Sequence, residues 1–74
     1  MDRTSLLRLL AQTERDIAED ERLIENQERT IAELERTGRD AWKARKFFDI
    51  LLESQTYHQQ DRDRLRKQIA EPKD

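Results

Sequence analysis

His58 is the chain's only histidine, and so the only side chain whose ordinary pKa places a proton exchange near neutrality. Folding the sequence about Gly38 brings Asp20 close to it, and a histidine held by a carboxylate is the start of a general-base pair. The rest of such a site is missing. No serine or cysteine is placed as a nucleophile, and there is no Gly-rich phosphate loop. The absence of cysteine also removes disulfides and thiolate zinc sites. One histidine among scattered carboxylates lacks the paired Glu-x-x-His motifs of four-helix carboxylate metal sites. The expectation is a structural, pH-sensitive hydrogen bond at His58, with no enzyme activity, catalytic residue, cofactor or metal.

Basic residues offer a second chemistry. Arg8, Arg15, Arg22, Arg29 and Arg36 recur every seven residues and could form a comb for phosphates. Arg62, Arg64, Arg66 and Lys67 form one dense cluster, and Lys43, Arg45 and Lys46 form another beside Trp42 and Phe47. An RNA-binding hairpin dimer is therefore one alternative. Three features weigh against nucleic acid as the expected partner. The pI is 5.4, glutamates interleave the comb, and Asp61 and Asp63 interrupt the densest cluster.

The arginine series belongs to a larger repeat. Glu-Arg pairs stand at 14–15, 21–22, 28–29 and 35–36, and Leu10, Ile17, Ile24 and Ile31 follow the same step. A sustained heptad keeps one helical stripe facing a partner, with the arginines on the opposite, solvated side. Charged residues are 43% of the chain and hydrophobic ones 34%, which suits long helices burying a narrow stripe better than a closed globule. The periodicity, with one Gly and one Pro, argues against reading so polar a chain as disordered.

The repeat breaks at Thr37-Gly38-Arg39-Asp40. Gly38 suits the left-handed residue that ends a helix, and Asp40 suits the N-cap of the next. The expected architecture is all-α, a single antiparallel coiled-coil hairpin: helix about 4–36, turn 37–40, helix about 41–70, then a short tail set off by Pro72.

Aligning the helices about the turn pairs residues whose numbers add to about 75. Leu6, Leu10, Ile17, Ile24, Ile31 and Leu34 then face a second seam containing Ala41, Ala44, Phe48, Leu51, Leu65 and Ile69. Between the apolar layers lies a polar set: Thr13, Asp20, Gln27, Gln55, His58 and Arg62. Polar seam residues lower stability and specify register, because a slipped pairing buries them without partners. Glu28 should meet Arg45 across the flank, and Asp16 should approach Asp61, an unfavourable pair unless a cation such as Arg62 intervenes.

The second helix carries more apolar surface than one seam can cover. Phe48, Leu51 and Leu52 are assigned to the first helix. Phe47, Ile50, Ser54 and Tyr57 form another stripe, with Trp42 beside the turn. A contiguous exposed stripe reads as a binding surface, and a small domain gains core by self-association. The expected partner is a second copy, giving a homodimeric four-helix bundle. The alternative is an adaptor or inhibitor docking a helical face on a larger protein. No run approaches a membrane span, and the opening residues lack the apolar core of a secretory signal, so cytoplasmic residence is the expectation.

Gln27, Ile31, Leu34, Gly38, Asp40, Ala44, Gln55, His58, Arg62 and Leu65 resemble a group of short bacterial helical-hairpin proteins of unassigned function. There an Ile-x-x-Leu heptad runs into a Gly-x-Asp turn, and a histidine follows on the next helix. The likeness covers about half the chain. Ala41-Trp42 stands where the group usually has Thr after the turn Asp. The resemblance implies a two-helix fold and no known activity.

Overall fold

The computed structural model describes residues 1–71, and Pro72 lies outside them. Two helices, α1 (Arg3–Arg36) and α2 (Trp42–Ala70), pack against each other as an antiparallel hairpin. The hairpin is a rod of 61 × 14 × 13 Å.

The helix ends follow from capping chemistry. α1 starts at Asp2, whose Oδ1 accepts the Ser5 N–H at 2.8 Å. Its far end is a Schellman turn. The Arg39 N–H donates to Leu34 O at 2.8 Å and the Gly38 N–H to Glu35 O at 3.2 Å, with Gly38 at φ 71°. A Cβ at Gly38 would meet no atom within 4 Å, so glycine is required here by its backbone angle alone.

The start of α2 corrects the expected cap. Ala41, not Asp40, occupies the N-cap position. Asp40 stands one residue earlier and still serves the helix, its Oδ1 accepting the Trp42 N–H at 3.0 Å. Ala41 is instead buried, because the chain turns back over the end of α1 at this point. The other end of α2 closes at Glu71, whose N–H reaches Lys67 O at 3.1 Å.

Between these caps every residue of the two seams is buried or half-buried, from Leu6 to Leu34 and from Ala41 to Ile69. Ile17, Ile24, Leu51, Leu65 and Ala41 form the apolar core, yet among the described residues no side chain is fully sealed from water. Burying one such Ile or Leu contributes about 1.5–3 kcal/mol. The rod exposes 5926 Å², where a globular monomer of this mass exposes about 4,900 Å². One narrow seam thus carries all the burial the hairpin has.

Two flanking expectations need correction. Leu52 does not face α1: it is 39% exposed while Leu51 is 7% exposed. Successive helical residues are rotated by about 100°, so only one of the pair can enter the seam. Arg45 pairs with Glu35 rather than Glu28. Side chains lean toward the N-terminus of their own helix. Arg45 therefore leans toward the turn and Glu35 away from it, and they converge. Arg66 meets Glu14 at 3.5 Å by the same geometry.

Candidate functional site

Asp20 is the one buried charged residue among the described residues, at 6% exposure. The heptad that places Ile17 and Ile24 in the core places Asp20 between them. From α2, His58 enters the same stretch and its Nδ1 lies 2.5 Å from Asp20 Oδ2. A carboxylate can only accept, so the shared proton sits on Nδ1 and the remaining ring nitrogen is Nε2. The hydrogen bond to Asp20 raises the His58 pKa above its ordinary value. Burial opposes this, and the charges of Asp20, Asp16 and Asp61 add to it.

Three carboxylates from both helices thus act on one imidazole. Asp16 is held by Gln12 Nε2 at 2.9 Å, and Asp61 by its neighbour Arg64 at 2.8 Å. Arg62 does not lie between Asp16 and Asp61. Its Nε donates to Asp63 Oδ1 at 3.1 Å, because Asp63 is adjacent and solvated. Gln27 donates from Nε2 to Ala44 O at 2.9 Å, spending its amide on the backbone of the opposite helix. Thr13 and Gln55 are half-buried in the seam. Every buried side-chain nitrogen or oxygen among the described residues has a partner. The histidine has the positioning carboxylate of a general base, and its side-chain hydrogen bond among the described residues is the one to Asp20. What the cluster can do chemically is take and release a proton inside the seam.

The flanks of the rod differ. On one, Phe47, Ile50 and Tyr57 are exposed, the last two by 59% and 65%, with half-buried Ser54 between them and the seam. The opposite flank has a shallow groove of about 470 Å³ floored by Ile31, Ala32 and Phe48 and rimmed by Glu28, Glu35, Arg45 and Asp49. Trp42 lies exposed beside the turn, with Lys46 Nζ 4.9 Å above its ring. Four arginines of the two basic clusters are engaged with carboxylates: Arg45, Arg62, Arg64 and Arg66. On the outer face of α1, Arg22, Arg29 and Arg36 pair with Glu19, Glu25 and Glu33.

Fold and seam together define a two-helix antiparallel hairpin with a carboxylate-clamped histidine in its seam and an aromatic stripe on one flank. No family model, curated protein or solved structure matches the chain. No helix among the described residues is long and apolar enough to cross a membrane.

Proposed function

We propose that this chain is a non-enzymatic coiled-coil interaction module that self-associates, two hairpins pairing into a four-helix bundle in the cytoplasm. The observation that carries the reading is the flank of α2, where Phe47, Ile50 and Tyr57 stand exposed to solvent along one stripe. Aromatic and branched residues aligned in this way lose an unfavourable contact with water when covered, and rods with one thin seam gain core by pairing. The polar seam residues, Asp20 and His58 foremost, serve this reading by holding one register.

Sedimentation equilibrium across a wide concentration range, with helicity followed by circular dichroism, tests the proposal. The expected result is a dimer that Ile50→Asp converts to monomer. A native chain that is monomeric at every concentration overturns self-association and turns the stripe toward a larger protein as its occupant.

A further inference from the structure

The stripe on α2 extends beyond its apolar members. Positions 43, 47, 50, 54, 57 and 61 follow steps of four and three, which place them along one flank of a helix. Read outward from the middle, the flank is small or branched, then aromatic, then charged, and the two ends carry opposite signs. We propose that a second copy of this chain pairs with it through α2, antiparallel, about a two-fold axis beside residue 52, so that Lys43 of each copy meets Asp61 of the other. The inference rests on the self-association reading and adds orientation and register to it.

In two antiparallel helices facing residues have a constant sum of numbers, since both rise by the same amount per residue. An axis beside 52 sets Ile50 against the second copy's Ser54, Phe47 against its Tyr57 and Lys43 against its Asp61. Symmetry makes each contact twice, as an isologous interface requires. A large residue meets a small one at the centre, so the helices approach closely there. Two aromatic pairs flank the centre, and opposite charges close both ends.

The alternatives are worse on the same residues. A parallel pairing sets Lys43 on Lys43 and Asp61 on Asp61, with Ser54 facing Ser54 across a gap. A slide of one heptad either way separates Lys43 from Asp61: one direction leaves Lys43 against Ser54, and the other sets Ile50 against Asp61. A second observation points to the same contact. Asp16 and Asp61 are half-buried carboxylates that both act on His58. Lys43 forms no ion pair among the described residues. Arg64 already pairs with Asp61 and Gln12 with Asp16, and the second copy's Lys43 brings a further cation to the same acidic flank.

Two variants test the register. Lys43→Glu places like charges at both symmetric contacts, and so does Asp61→Lys. Each alone is expected to weaken dimerisation about tenfold. Mixed together, the two chains restore both contacts and are expected to form the mixed dimer at near-native affinity, read by native mass spectrometry. Spin labels on a cysteine at Glu53 or Lys67 give an independent reading. The Glu53→Cys labels should lie about 20 Å apart, within the width of two helices, and the Lys67→Cys labels about 45 Å or more, from 30 intervening residues of axial rise. A dimer in which both distances are short, or whose affinity ignores the charge variants, overturns the antiparallel register while leaving self-association standing. A chain that never dimerises overturns both.

Discussion

Asp20 and His58 set how the seam responds to acid. The imidazole has a raised pKa in the folded chain, first through its hydrogen bond to Asp20, against an unfolded value near 6.5. Its contribution to stability is therefore fully present below pH 6.5 and is lost as pH rises through the higher folded value. Stability should fall as pH rises above about 6.5 and through the raised folded value, and His58→Gln should flatten that dependence. Thermal melts of the N-acetylated chain check this, since acetylation removes the amine that also titrates in the window. An unchanged slope in His58→Gln would place the linkage elsewhere. The nearness of Asp20 and His58 was legible in the sequence, because it follows from folding the heptad about Gly38. The cap at Asp2 was equally available: an aspartate just ahead of the first leucines is a strong N-cap signal, and its Oδ1 takes the Ser5 N–H. The destination of Arg62 was not legible. A long side chain beside a solvated aspartate settles on that neighbour, and seam spacing carries no information about it.

At the scale of the helices, α2 shows how one residue's step in sequence separates core from surface. Leu51 and Leu52 are chemically identical neighbours, one closed in the seam and the other exposed. Leu51→Ala should cost about 2–3 kcal/mol, toward the low end for a buried leucine because the thin core can partly collapse and admit water. Leu52→Ala should cost under about 1 kcal/mol. Urea titrations of both variants at fixed protein concentration measure the difference, and equal losses would show that Leu52 is covered in solution. The two-helix architecture was readable from period alone: a heptad, a Gly-containing break, then a second run of three-and-four steps. The cross-helix ion pairs were not. Pairing by residue number treats side chains as perpendicular to the axis, whereas they lean toward the helix N-terminus, and that lean moves Arg45 from Glu28 to Glu35.

For the whole molecule the decisive fact is that one seam supplies all the burial. Among the described residues no side chain is fully sealed, and the exposed area exceeds that of a globular monomer by roughly a fifth. A hairpin with so little core gains most when the Phe47, Ile50 and Tyr57 flank is covered, so folding and association should be coupled. If native dimer unfolds to two separate chains, mass action makes the transition depend on concentration. A hundredfold rise in concentration favours the dimer by about 2.7 kcal/mol. The unfolding entropy of two such chains is about 0.3 kcal/mol/K, so the melting temperature should rise by about 9 °C. Differential scanning calorimetry from micromolar to hundreds of micromolar measures that shift directly. The same scan on Ile50→Asp should show a lower and concentration-independent transition, because the monomeric hairpin then melts alone. A native transition that stays fixed across the range would mean that the single seam suffices for folding, and that the aromatic flank is held open for another protein.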